Sequence, residues 1–325
     1  MPLTRSEVHV DQALSNLSIA YAQEQERFVS TKIFPSLNVN HMSDRFHIFD
    51  KANYLRSNAD LRAPGSPTKG ANYTLSTDTY SCKEYGIHMN IDDTVNANAD
   101  AGLDIMASTT RYITEQLLLK RDQVFAATCF KTGVWTGSST GTDIGVGSGI
   151  TTAWSAAGGT PIKDIQTQQD AVESKTGRRP NTLLLGSDVY TALRDSDDLL
   201  DRVKFSERGV LTTDLMAALF DVERVMVAAP IVNTAHENAT ATYGRVFDPD
   251  DALLCYVPSA AGLMTPSAGY MFSFTGVSGA YQFEGLRTLR YRQDAFHSER
   301  IEAMAAFDFK VTGADLGVFF NECVA

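Results

Sequence analysis

Two hydrophobic periods alternate along this chain, and their order is its most informative property. Phe46 and Ile48 alternate with polar residues, and Tyr85, Ile87, Met89 and Ile91 do so again further on. Period-2 alternation is the pattern of a half-buried strand. Between these stretches lies a polar segment, 51–81, with Pro64-Gly65 and Pro67 near its middle. It has too little apolar surface to offset the entropy of ordering it. A structureless insert of that length inside a compact domain predicts a neighbouring subunit on which it can lie. The period then changes to 3.6. Met106, Ile113, Leu117 and Val124 form one stripe, with Ile105, Tyr112 and Leu119 beside it. The spacing predicts one long helix over about 97–130, capped by Asn98 or Asp100 and stopped at Lys131-Thr132-Gly133. Some 30 residues at 1.5 Å each make a strut of about 45 Å.

Residues 13–34 show helical spacing at Leu14, Leu17 and Tyr21, ended by Pro35. Residues 132–160 hold eight of the 23 glycines and one charged residue, Asp143, so this stretch reads as a surface loop or linker. From Thr160-Pro161 the texture is compact. A helix with Ile162, Ile165 and Val172 ends at Gly177, and a strand follows at 182–185. A helix at 188–194 leads to an acidic turn at Asp195, Asp197, Asp198 and Asp201. A helix at 214–220 and strands at 224–228 and 252–257 complete this part. The chain is extended again at 281–292. Over 301–311, Ile301, Ala303, Ala305, Phe307, Phe309 and Val311 alternate with largely polar residues, predicting one strand of about 11 residues.

Composition narrows the class. With 325 residues, 43% hydrophobic and 21% charged, the chain has material for one or two ordinary cores. No apolar run reaches the ~18 residues of a membrane helix, and the first twelve residues lack the pattern of a secretory signal. These features place the chain in a cytoplasm when it is made. Cys82, Cys129, Cys255 and Cys323 are scattered, as reduced thiols are, and form neither a disulfide frame nor a zinc site. The net charge of −11 excludes nucleic-acid binding by bulk electrostatics. If the protein encloses nucleic acid, it does so as a wall.

Chemical motifs are weak. Gly137-Ser138-Ser139-Thr140-Gly141 matches G-x-S-x-G but lies in a glycine-rich run with no flanking strand and helix. Gly145, Gly147 and Gly149 have no helix behind them. His236-Glu237 lacks a second histidine, and Asp195–Asp201 and Asp248–Asp251 lack the glycine and closing glutamate of a calcium loop. No catalytic, cofactor or metal residue is assigned. An α+β enzyme using Ser139 or His236 is the alternative from another class. Arg287, Arg290 and Arg292 make a basic strand, with Arg290 and Arg292 on one face. That face meets an acidic neighbouring surface, nucleic acid, or solvent alone.

The most specific local stretch is Thr160-Pro161-Ile162, then Thr176-Gly177-Arg178-Arg179-Pro180-Asn181-Thr182-Leu183-Leu184-Leu185-Gly186, then Val189-Tyr190-Thr191-Ala192-Leu193. With Asp201-Arg202-Val203-Lys204-Phe205 and 215–227, it resembles the axial domain of the major capsid proteins of tailed bacteriophages, which have the HK97-type fold. The order of arm, β-excursion, long helix, mixed insert and long return strands resembles that family over nearly the whole chain. It is weakest at 1–40 and 132–160.

The resemblance implies an α+β fold: an N-terminal arm (1–43), an extension loop built on a β-hairpin (44–93), and a peripheral-domain spine helix with a Gly-rich loop (94–159). An axial domain (160–265) and peripheral return strands (266–325) complete it. It implies a structural protein that self-assembles as hexamers and pentamers into an icosahedral head around double-stranded DNA, in the virion, after assembly in the host cytoplasm. An encapsulin-like cargo shell is the alternative on the same fold. Implied partners are a separate scaffolding protein, since about 43 residues before the loop are too few for an internal scaffold, together with a portal protein and the packaged DNA. A decoration protein stays open, and no membrane partner is implied. Arg56, Arg62 and Lys69 on the loop are expected to contact a neighbouring subunit. In some members a loop lysine cross-links to an asparagine of another subunit. Lys69 is the residue here to test, although a lone loop lysine is ordinarily just solvated.

Overall fold

The structure, a computed structural model, describes residues 27–49, 51–98, 104–203, 211–262, 265–276 and 286–324. The helical spacing at Leu14, Leu17 and Tyr21, part of the 201–205 match and residues 281–285 of the expected strand lie outside them. The chain enters through a short helix α1 (Ser30–Ile33), strand β1 (Ser36–Val39), strand β2 (Ser43–Phe49) and a single turn α2 (Lys51–Tyr54). Strands β3 (Leu75–Ser81) and β4 (Lys83–Asp92), a turn α3 (Asp93–Ala97) and the long helix α4 (Ile105–Cys129) follow. Next come β5 (Ile144–Val146), β6 (Gly149–Ile150), α5 (Pro161–Thr176), β7 (Thr182–Gly186), α6 (Ser187–Arg194), α7 (Asp197–Val203) and α8 (Thr213–Phe220). Eight strands follow among the described residues: β8 (Arg224–Ala228), β9 (Ile231–Asn233), β10 (Tyr243–Arg245), β11 (Ala252–Cys255), β12 (Gly269–Phe274), β13 (Leu286–Gln293), β14 (Ser298–Val311) and β15 (Gly317–Asn321).

The expected long strand exists and is longer than its pattern suggested, at 14 residues. It is the axis of a five-stranded sheet. β14 pairs antiparallel with β4 over 298–307, with β13 over 298–305 and with β12 over 307–311, and β12 pairs in parallel with β1. Helix α4 lies on this sheet. Ile113, Leu117 and Phe125 share one core with Ile301, Ala303, Ala305, Phe307 and Phe309. The alanines leave room for the helix, and Phe125 meets Phe309 edge-on at 5.4 Å.

The helix starts later than expected. Asn98 does not begin it, and Asp100 lies outside the described residues. The carboxylate of Asp104 accepts from Ala107 N at 3.0 Å, and α4 spans 25 residues, about 37 Å. A separate turn, α3, precedes it, capped by Asp92 through Thr94 N.

The second sheet has the order β6-β5-β15-β11-β7-β8 and is buried on both faces. Leu183 and Leu185 of β7, Leu254 of β11 and Val318 and Phe320 of β15 face the helices α5, α6 and α8. Leu184, Leu253 and Phe319 face the core that holds α4. Double burial explains why 182–185 is a continuous apolar run without alternation. Phe130, just past the end of α4, meets both Phe247 and Phe319 edge-on, at 5.4 and 5.2 Å, and so ties the helix end to the second sheet.

Three expectations are corrected. Residues 132–160 are not a linker: Ile144 and Ile150 of β5 and β6, together with Trp135 and Trp154, are buried. β15, expected among the peripheral return strands, pairs with β11 in the second sheet, so the sheets do not follow the expected division at 144–150 and 317–321. The acidic turn at 195–201 is instead helix α7, with Asp197 and Asp198 in its favourable first turn.

Candidate inter-subunit surfaces

The polar excursion is a hairpin with a long cap. β2 and β3 pair antiparallel from Ser43↔Ser81 to Phe49↔Leu75. Strand β3 was expected to be structureless; its alternation of Thr77, Thr79 and Ser81 with Ser76, Asp78 and Tyr80 carried no apolar signal. β4, expected to return alongside β2, pairs with β14 instead.

From residue 51 to 79 no side chain is buried. Leu61 is wholly exposed, and Tyr54, Leu55 and Tyr73 are more than half exposed. Arg62 Nε donates to the Ser66 carbonyl at 2.6 Å, and Ser66 Oγ donates to the Ala63 carbonyl at 2.8 Å. This closes a turn in which Gly65 takes a positive φ of 84°. Lys69 pairs with Asp60 at 2.7 Å, and Arg56 is exposed. Arg62 and Lys69 therefore shape the loop as well as facing outward from it. The base of the hairpin is tied to the body. Lys51 pairs with Asp315, Ser81 N donates to Asp308 at 2.9 Å, and Lys310 lies 3.9 Å from Asp78.

The basic strand β13 finds acidic partners in its own chain, on the neighbouring strand β14 and on the turn α3. Arg290 pairs with Glu299 at 2.6 Å, and Arg292 grips Asp93 with both guanidinium nitrogens at 2.6 Å. This bidentate hydrogen bonding holds the Asp93 carboxyl below the usual carboxylate range. Arg287, half-buried, points to the other face, as its odd register requires.

The motifs read as candidate chemistry are structural. Ser139 N donates to Gln168 Oε1 at 2.9 Å, and Gln168 Nε2 lies 3.4 Å from Ser139 Oγ. The serine is thus engaged by an amide, which cannot act as its base. His236 is exposed on the loop between β9 and β10. Burial pushes the thiols of Cys82 and Cys255 up to about 12 and raises those of Cys129 and Cys323 as well, which makes all four poor nucleophiles. Among the described residues, no group of three His, Cys, Asp or Glu is arranged to hold a metal ion. Nor is any helix among them long and apolar enough to cross a membrane.

No protein-family model matches the chain. It is 24% identical over 268 residues to the major capsid protein of Burkholderia phage BcepMu, covering 80% of this chain and 82% of that one. Among solved structures it superposes on a phage-related protein from Bordetella bronchiseptica RB50 with a TM-score of 0.71, at 20% identity and 93% coverage of both chains. The capsid of cyanophage P-SCSP1u gives 0.58, at 14% identity, covering 95% of this chain and 91% of that one. An encapsulin complex from Synechococcus elongatus PCC 7942 also gives 0.58, at 12% identity, covering 100% and 96%. The chain thus has the HK97-type fold of tailed-phage capsid proteins along nearly its whole length.

Proposed function

We propose that this chain is the major capsid subunit of a tailed phage, a structural protein that closes into an icosahedral head around double-stranded DNA. One observation carries the assembly reading: a stretch of about 29 residues, 51–79, in which nothing is buried although leucines and tyrosines are present. Such a segment has its physical rationale in a second subunit that covers it. Many modest interfaces of this kind, closed by symmetry, make a strong shell. The encapsulin alternative shares the fold equally well. The relative in sequence is a phage major capsid protein, and that favours the phage reading.

In this reading Arg56, Arg62 and Lys69 contact the neighbour, and hexamers and pentamers form around 160–265. A separate scaffolding protein and a portal protein complete the head, which is assembled in the host cytoplasm. The DNA is enclosed without sequence recognition, and the net charge of −11 opposes tight electrostatic binding to it. Replacing residues 55–73 by a short Gly-Ser linker leaves the β2–β3 pairing intact. The expected outcome is a folded, soluble subunit that forms no closed particles by electron microscopy. Closure of normal particles by this variant would remove the arm from the assembly mechanism.

A further inference from the structure

The acidic stretch Asp195-Ser196-Asp197 joins α6 to α7, and the shell reading gives it no part. Residues 154–157 lie against this junction and form with it a cavity of about 360 Å³, whose walls include Trp154, Ala156, Ala192, Asp195, Ser196 and Asp197. That volume falls at the lower end of the ~300–1,000 Å³ of small-molecule sites. Ser196 is only 8% exposed and lines the cavity, yet its hydroxyl has no hydrogen-bond partner among the described residues. Buried hydroxyls are ordinarily paired. Asp195 and Asp197, on either side, are exposed and have no ion pair among the described residues. The nearby cations are turned elsewhere. Arg194 lies over the Tyr190 ring at 5.8 Å, and Arg202 faces Asp198 at 3.9 Å.

We propose that this cavity binds a primary ammonium group, carried by a free polyamine or by a lysine of another copy of this chain. An alkylammonium has three N–H donors and no acceptor. The junction presents two carboxylates and, between them in sequence, a buried hydroxyl that can fix where the nitrogen sits. No Lys or Arg lines the cavity, so nothing in it offsets an anion. The last turn of α6 reaches the cavity at Ala192, and the negative end of its peptide dipoles adds to the preference for a cation. A metal ion fits less well, because Asp195 and Asp197 are the only residues of ligand type in the lining and no group of three among the described residues can hold one. The methyl groups of Ala156 and Ala192 suit the alkyl chain behind the nitrogen. The polyamine form of the inference stands without the shell reading, and the lysine form rests on it.

The test titrates the dispersed full-length chain with spermidine at low ionic strength, followed by calorimetry. Saturable one-to-one binding is expected. Asp195→Asn with Asp197→Asn is expected to weaken it by roughly tenfold or more, and Ser196→Ala by several-fold. A control pair, Asp214→Asn with Glu237→Gln, changes the net charge equally at two exposed sites and is expected to leave the binding unchanged. Closed particles assembled from 15N-labelled and unlabelled copies then separate the sources. If the ammonium is a lysine, the particles no longer take up spermidine, and carbodiimide coupling joins Asp195 or Asp197 to a lysine of a differently labelled copy. If it is a free polyamine, the particles still bind spermidine and the coupling is absent. Binding that is not saturable, or that both double variants weaken alike, shows diffuse attraction to an acidic surface. That result overturns the inference and leaves the shell reading standing. Failure of closed particles to form overturns the shell reading and leaves the titration to decide the site.

Discussion

Asp251 shows how a single buried charge sets the behaviour of its surroundings. It is 6% exposed, its carboxylate accepts from Glu322 N at 2.9 Å, and burial followed by the nearby Asp248, Asp250 and Glu322 charges pushes its pKa up to about 6. A carboxyl raised in the folded state stabilises the fold fully below its ordinary pKa near 4, and that contribution is lost as pH rises through about 6. Asp251→Asn keeps the acceptor and removes the charge. Near pH 4 the variant is expected to match the parent in urea unfolding. Above pH 7 it is expected to be more stable by roughly 1–3 kcal/mol, one pKa unit being about 1.4 kcal/mol. Asp122 is a second buried carboxyl, and what matters there is the pair of amides it holds. It is fully buried and is the acceptor for Val29 N and Ser30 N, and burial raises its pKa. Asp122→Ala strands two buried amides, at about 1–3 kcal/mol each. A loss of roughly 2–4 kcal/mol is expected, with faster proteolysis around residue 27. An unchanged unfolding midpoint would mean that the entry segment is held by packing alone.

At the scale of elements, what the amino-acid pattern revealed depended on how locally each element is specified. The stretch from Pro161 to Ala228 was legible because its caps are local: proline at the first turn of α5, Gly177 left-handed at its end, and an apolar run in β7. β14 was legible because one of its faces is a continuous core. β1 and β12 were not, because their pairing joins residues more than 230 apart and 269–274 is buried without alternation. The spine-helix boundary slipped because the better cap, Asp104, lies one turn beyond Asp100, immediately before the apolar stripe. The order of residues 132–160 was hidden because glycine accompanies mobile loops and close approach alike. At Gly137 it marks close approach: a Cβ there would lie 2.4 Å from the Gly317 carbonyl oxygen and 2.7 Å from that of Asp315. The contrary signal was present, since both tryptophans of the chain lie in this stretch. Gly137→Ala is therefore expected to cost about 1–3 kcal/mol, the scale of overpacking, although alanine is ordinarily the gentler residue for an exposed loop. Thermal unfolding checks it, and a neutral result would restore the linker reading. The loop residues Arg56, Arg62 and Lys69 were legible as exposed cations; the cis partners Asp60 and Ser66 were not, because a turn in a polar segment leaves no periodic trace.

The whole molecule combines an exposed arm bearing leucines and tyrosines with a net charge of −11. These act against each other on assembly. Every subunit added to a shell brings more negative charge close to the rest, while the arm gains by burying apolar surface at about 25 cal/mol per Å². Salt separates the two contributions. Raising ionic strength from about 0.1 M to about 1 M shortens the screening length from ~10 Å to ~3 Å, which removes repulsion between surface charges and leaves apolar burial in place. The concentration at which closed particles form, followed by light scattering, is therefore expected to fall several-fold with added sodium chloride. The opposite dependence would assign the dominant contact to ion pairs. Arg56, Arg62 and Lys69 would then be the residues to neutralise first, one at a time, because an ion-pair interface loses its salt dependence as its cations are removed.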